Sequence, residues 1–201
     1  DNYKDFFNTG VTWTNALSID AGDGKGQSMR VSIKDVRNNW IVPNTGYNTQ
    51  SVGISMASKK NRYINAQAKI NYYRKHSDNL PISGYNDSSP LKSLMWLPVS
   101  VTDAGVYSEY ANNYTDRYWE QNEGTLINNQ SDNPYLMSYE HLNTQQRDRI
   151  YGNVSVTANL YRDILTFTLR TGIDLNNDFR TQRKPFHSRS YLQGMYREQT
   201  T

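Results

Sequence analysis

The chain has 201 residues, 36% of them hydrophobic, with 16 tyrosines, no cysteine and a formal net charge of +3. Its length allows one or two domains, and its modest charge, with no dense Lys/Arg patch, argues against a nucleic-acid partner. The missing cysteines exclude disulfides and thiolate metal sites, and no run reaches the roughly 18 apolar residues of a transmembrane helix.

The chain opens at Asp1 with neither a methionine nor a charged-then-apolar leader, so any signal peptide is expected to have been removed. Residues 1–10 are polar and aromatic without a period. From Val11 to Ala21 the pattern alternates. Val11, Trp13, Leu17, Ile19 and Ala21 share one face, interrupted by Asn15, while Thr12, Thr14, Ala16, Ser18 and Asp20 share the other. Glycines at 22, 24 and 26 predict a turn. A second strand follows, with Met29, Val31 and Ile33 opposite Ser28, Arg30, Ser32 and Lys34. Residues 38–48, with Pro43-Asn44-Thr45-Gly46, read as a loop. Val52, Ile54 and Met56 mark a third strand, and Ile64, Ala66, Ala68, Ile70 and Tyr72 a fourth, joined by a polar turn at 59–62.

Residues 76–147 lack sustained alternation and read as one long loop. Two further strands follow. Ile150, Gly152, Val154, Val156, Ala158 and Leu160 share a face of the first, and Leu165, Phe167, Leu169, Thr171, Ile173 and Leu175 a face of the second, with a turn at 161–163. Each sustains the pattern for about 11 residues, where soluble strands usually run about 5–6 and a tilted bilayer-crossing strand needs about 9–11. Residues 181–201 again read as polar and aromatic, without a strand.

Short connections (22–26, 59–62, 161–163) alternate with long ones (38–48, 76–147, beyond about 180). An up-and-down barrel with short periplasmic turns and long external loops predicts that sorting; a Greek-key sandwich does not. Trp13, Tyr72, Tyr73 and Tyr151 fall at long-loop ends, and Tyr63 and Tyr161 at short-turn ends, as membrane-interface girdles require, although aromatics are also simply good strand residues. The wet face carries Asp20, Arg30, Lys34, Lys69, Arg170 and Asp174. Such charges fit either bulk solvent outside a sandwich or a water-filled lumen, and strand length and loop sorting favour the lumen. The expected fold class is therefore all-β: a transmembrane antiparallel up-and-down β-barrel segment. Six strands cannot close a barrel, since bacterial ones begin at about 8. Residues 1–201 are thus expected to form part of a larger barrel domain, with its external loop at about 76–147.

Three stretches carry a family resemblance. Phe6-Phe7-Asn8-Thr9-Gly10-Val11-Thr12-Trp13-Thr14-Asn15, Val42-Pro43-Asn44-Thr45-Gly46-Tyr47-Asn48 and Arg147-Asp148-Arg149-Ile150-Tyr151-Gly152-Asn153-Val154-Ser155 resemble, in order and spacing, the SusC/RagA family of TonB-dependent outer-membrane transporters of Bacteroidetes. The resemblance covers nearly the whole chain. It implies a plugged barrel of 22 strands in the bacterial outer membrane. It further implies import of glycans or oligopeptides with energy from TonB, beneath a SusD-like lipoprotein lid. Against that pattern the chain departs by omission: it shows no plug, no TonB-contacting segment and no barrel closure, so alone it is not expected to couple energy to transport.

Motifs for chemistry are sparse, and no enzyme activity or cofactor is expected. His76, His141 and His187 form no metal-binding pair, and Glu120 and Glu123 are loop neighbours that nothing fixes across a substrate. Residues 20–26 and 174–178 are oxygen-rich but lack a full calcium-ligand series, so turn chemistry is the expected reading and no metal site is assigned. The 76–147 loop is the candidate binding region: Trp96, Tyr107, Tyr110, Tyr114, Tyr118 and Trp119 stand among Asn and Asp, as sugar stacking and hydroxyl recognition require. Trp96, Tyr107, Tyr110 and Trp119 are the substrate-contact candidates, against the alternative that these rings pack the loop on itself or on a lid. Leu91–Pro98 has a helix-like apolar pattern that places Trp96 in such a loop core. The competing function is a soluble extracellular β-sandwich that binds carbohydrate as a module or adhesin.

Overall fold

The computed structural model describes residues 2–59, 63–82, 89–96, 102, 104–105, 107–108, 132–161, 164–186, 188 and 191–201. Seven strands form one antiparallel sheet in chain order: β1 (Val11–Gly22), β2 (Gln27–Asn39), β3 (Gly46–Ser58), β4 (Ile64–Asn79), β5 (Leu142–Leu160), β6 (Leu165–Lys184) and β7 (Met195–Thr200). Outside it lie the short helices α1 (Asn2–Phe6), α2 (Pro90–Met95) and α3 (Pro134–Tyr139). No helix among the described residues is long and apolar enough to cross a membrane, which says nothing of crossing by strands.

Every strand-to-strand step is sequential, so the sheet is an open up-and-down meander with β1 and β7 at its edges. The expected six strands become seven, and the expected loops shrink. The 38–48 loop is only 40–45, because Asn38 and Asn39 pair with Tyr47 and Gly46. The 76–147 loop gives up both ends, since Tyr73–Ser77 pair with Gln145–Arg149. Polar residues at these ends hide the alternation without weakening the backbone ladder. β7 is hidden for the same reason: Tyr196, Arg197 and Glu198 pair with Arg183, Gln182 and Thr181.

Connections 23–26, 59–63 and 161–164 lie at one end of the sheet, and 40–45, 80–141 and 185–194 at the other. The first turn is tightly specified. The Asp23 carboxylate accepts from the Lys25 and Gln27 amides at 2.8 and 2.9 Å, which holds its pKa below the usual range. At Gly26 φ is +104°, and a Cβ would meet the Lys59 carbonyl oxygen at 2.6 Å, so only glycine fits.

Register carries the faces across the sheet. Ile19 opposes Val31, Val31 opposes Ile54, Ile54 opposes Ile70, Ile70 opposes Gly152 and Gly152 opposes Ile173. Directly opposed residues point to the same side, so the apolar sets of β1 to β6 make one continuous surface. That surface is exposed: Ile19 is 60% accessible and Leu169 59%. Among the described residues no second sheet or helical layer covers it; the substantial contacts run between neighbouring strands, between α2 and α3, and between α3 and β5.

The buried apolar core sits at the long-loop end. Phe6, Val42, Leu94, Tyr135 and Leu136 close on one another, with Phe7 against them. Phe6 and Tyr135 meet edge-to-face at 5.1 Å between ring centres. Asn133 caps α3 by accepting from the Tyr135 amide at 2.9 Å, and Pro134 follows in the first turn, where its missing N–H does no harm. Asn79 ties the core to the sheet by donating to Asn44 O and Ser138 O at 3.1 and 2.9 Å.

Candidate functional site

The face opposite the apolar one gathers all six wet-face residues expected from the sequence. Asp20 opposes Arg30, Lys34 opposes Ser51, Lys69 opposes Asn153, Arg170 opposes Ser155 and Asp174 opposes Tyr151. The ion pairs on this face include Arg30–Asp20 and Arg149–Asp174. Arg30 grips Asp20 through Nε at 2.5 Å and Nη2 at 3.2 Å, and Arg149 grips Asp174 at 2.8 and 2.5 Å. Both pairs are bidentate forks, the geometry guanidinium and carboxylate favour. All four side chains are well exposed, so solvent screens both pairs and neither adds much stability. Lys34, Lys69 and Arg170 have no ion-pair partner among the described residues.

At the long-loop end the same face holds a cluster that the sequence reading missed. Lys75 opposes Arg147, Arg147 opposes Asp178, and Gln145 opposes Arg180. Asp178 accepts from Gln145 Nε2 at 3.0 Å on both oxygens, and from Arg180 at 3.1 and 2.7 Å. Those bonds use the roughly four acceptor sites of a carboxylate. Arg147 Nε lies 3.4 Å from the same carboxylate but makes no hydrogen bond. Lys75 Nζ rests 5.0 Å from the centre of the Tyr47 ring. Three cations thus surround one saturated anion. Extending the two-residue parity of the fourth strand downstream from Tyr73, of the fifth upstream from Arg149 and of the sixth downstream from Asn176 is the signal that finds them.

The apolar face changes character toward this end. Trp13 and Tyr72 mark the change. The Trp13 indole donates to Asn15 at 3.0 Å, and the Tyr72 hydroxyl donates to Asp148 at 2.6 Å. Arg37, directly opposite Trp13, lies 3.2 Å from Asp35, and beyond Tyr72 Arg74 lies 3.8 Å from Asp148. Tyr73 and Tyr151, grouped with Trp13 and Tyr72 on sequence position, stand on the opposite, polar face because their parity is odd.

In the long loop the aromatic candidates divide. Trp96 ends α2 and is 47% exposed, whereas Leu94 two residues earlier is buried, so Trp96 is not loop core. Tyr107 lies edge-on to Tyr135 at 5.1 Å, with about half its surface open. Tyr110 and Trp119, with Tyr114, Tyr118, Glu120, Glu123 and His187, lie outside the described residues.

No protein-family model matches the chain, and no curated protein matches it.

The carboxylates of the two oxygen-rich stretches are engaged internally: Asp20 with Arg30, Asp23 with its turn amides, Asp174 with Arg149, and Asp178 with Gln145 and Arg180. Among the described residues no three His, Asp or Glu side chains gather as a metal requires. A buried trio at the loop end looks superficially catalytic. Ser188 donates to Asp132 Oδ2 at 2.6 Å, and His141 Nε2 lies 3.6 Å from that same oxygen. The carboxylate stands between the other two, so within this trio His141 does not reach the hydroxyl as a base, and all three are at most 2% exposed. Their arrangement serves structure. Burial pushes the His141 pKa down to about 4, outweighing the attraction of Asp132, with Lys184 acting in the same direction as burial.

Proposed function

We propose that this sheet is part of the wall of an outer-membrane β-barrel, in a TonB-dependent importer that takes up glycans or oligopeptides beneath a SusD-like surface lipoprotein. The observation that carries the reading is the exposed apolar face running unbroken from β1 to β6. In water a contiguous apolar patch beyond a few hundred Å² is rare on a monomer; against lipid it is the required surface. Its height fits. From Leu165 to Leu175 the chain advances ten residues, about 33 Å along a strand. A tilt of about 40° reduces that to about 25 Å, the usual apolar band of an outer-membrane barrel.

The opposite face supports the same reading, since paired and unpaired charges stand where water must be. The ends support it too. Short connections suit the periplasmic side, and the loop core of Phe6, Leu94, Tyr135 and Leu136 suits the external side. Open edges at β1 and β7 cannot stand in hydrocarbon, where each unpaired backbone group costs several kcal/mol. Further strands therefore complete the wall, 22 in all if the resemblance to SusC/RagA transporters holds. Coupling to TonB then runs through a plug outside this sheet.

The test is the behaviour of the full-length protein. It is expected to float with outer-membrane lipid, to need detergent once extracted, and to migrate faster on a denaturing gel before heating than after. A soluble carbohydrate-binding sandwich predicts a monodisperse protein in plain buffer and no shift on heating; that result overturns the proposal.

A further inference from the structure

We infer that the long-loop end of the polar face, at Lys75, Arg147 and Arg180, recognises anionic solutes bearing carboxylate or sulfate groups. The inference rests on the reading of this face as the lining of a watery passage and adds the sign of what enters it. The net charge of +3 conceals a segregation. Once the pairs Asp20–Arg30 and Arg149–Asp174 cancel, this face keeps an excess of cations against Asp178: Lys34, Lys69, Arg170, Lys75, Arg147 and Arg180, with Lys184 and Arg197 toward β7. On the other face, Asp35 and Asp148 stand beside Arg37 and Arg74.

Like charges directly opposed across strands destabilise a sheet, and Lys75 stands directly opposite Arg147. Asp178 does not relieve them fully, because Gln145 and Arg180 already occupy its oxygens. Arg147 makes no hydrogen bond of its own among the described residues; its Nε is buried, while 39% of its side chain is exposed, which leaves the terminal N–H pair as the accessible fork. A guanidinium in that condition matches the two oxygens of a carboxylate or sulfate. Lys75, held over Tyr47, adds charge beside an aromatic face on which a sugar ring or side chain can lie. Farther along the face, Lys34, Lys69 and Arg170 continue the same sign toward the short-turn end, so an anion leaving the cluster meets further cations.

Binding by the purified full-length protein in detergent decides the matter, with three probes of equal length: a galacturonate trimer, a glutamate tripeptide and a neutral glucose trimer. At least one anionic probe is expected to bind about tenfold more tightly than the glucose trimer at low ionic strength. That preference should collapse at about 1 M salt, where the Debye length is about 3 Å. The double variant Lys75→Gln/Arg147→Gln should lose the preference while keeping its heat-shifted gel mobility, and Lys25→Gln, in the distant first turn, should keep both. Which anionic probe binds distinguishes an acidic glycan from an acidic peptide. Equal binding of all three, binding of neither anion, or an unchanged preference in the double variant overturns the inference. A protein that floats with lipid yet ignores charge overturns this inference alone. One that needs no detergent overturns the membrane reading, and the same binding comparison in buffer still decides this one.

Discussion

A single histidine shows how the loop end is held. His141 is buried beside the Asp132 carboxylate, and burial, with the Lys184 charge acting the same way, lowers its pKa to about 4. An unfolded histidine takes up its proton near pH 6.5. Between about pH 6.5 and 4 the unfolded chain therefore binds the proton that the folded chain refuses, and stability falls as pH falls through that window. Thermal unfolding in detergent should show a midpoint that declines between pH 7 and pH 4.5, above the range where ordinary carboxylates titrate. In His141→Asn the decline should be shallower, and an equal decline in both proteins contradicts the assignment. The sequence displayed His141 but not its state. No spacing of His, Asp and Ser in the chain announces that Asp132, His141 and Ser188 meet, because loop closure rather than periodicity brings them together. Asp20, Arg30, Lys34, Lys69, Arg170 and Asp174 were legible as one face, because parity within a strand needs no tertiary knowledge.

At the scale of strands, legibility follows hydrophobic contrast. β5 and β6 could be read from Ile150 and Leu165 onward, where every second residue is apolar or small. Above them Gln146 and Asp148 occupy the same face as Ile150 and Val154, so the alternation goes silent while the ladder to Asn177 and Phe179 continues. β7 lacks contrast altogether, and the cation cluster is hidden in the sequence because Arg147 reads as part of a loop. Strand pairing also imposes a demand that a hydrophobicity pattern does not reveal. Gly152 lies so close to β4 that a Cβ there would collide with the Lys69 carbonyl oxygen and meet Ile70 Cα at 3.1 Å. Gly152→Val should therefore destabilise the β4–β5 pair by about 1–3 kcal/mol, the usual penalty of overpacking. The thermal midpoint of the heat-shifted form reads that loss, and an unchanged midpoint contradicts the close approach.

For the molecule as a whole, the sheet inverts the usual order of a globular protein. Its core is a small cluster beyond the strands, around Phe6, Leu94 and Leu136, while the broad apolar face has no protein over it among the described residues. Such a face is rare on a monomer in water, and the proposed bilayer would cover it. The all-β up-and-down meander and its two faces could be read from alternation, but the cation cluster could not, since it depends on loop-end residues brought together by register. The chain has no cysteine, which permits a direct experiment. Single cysteines from 165 to 175 in the full-length protein, each carrying a spin label, report access to oxygen from lipid or to a water-soluble nickel complex. The account predicts a period of two: lipid access at Leu165, Phe167, Leu169, Ile173 and Leu175, and water access at Thr166, Thr168, Arg170 and Asp174. Labels on the Leu169 side that meet water, or that meet neither probe because protein covers them, contradict it.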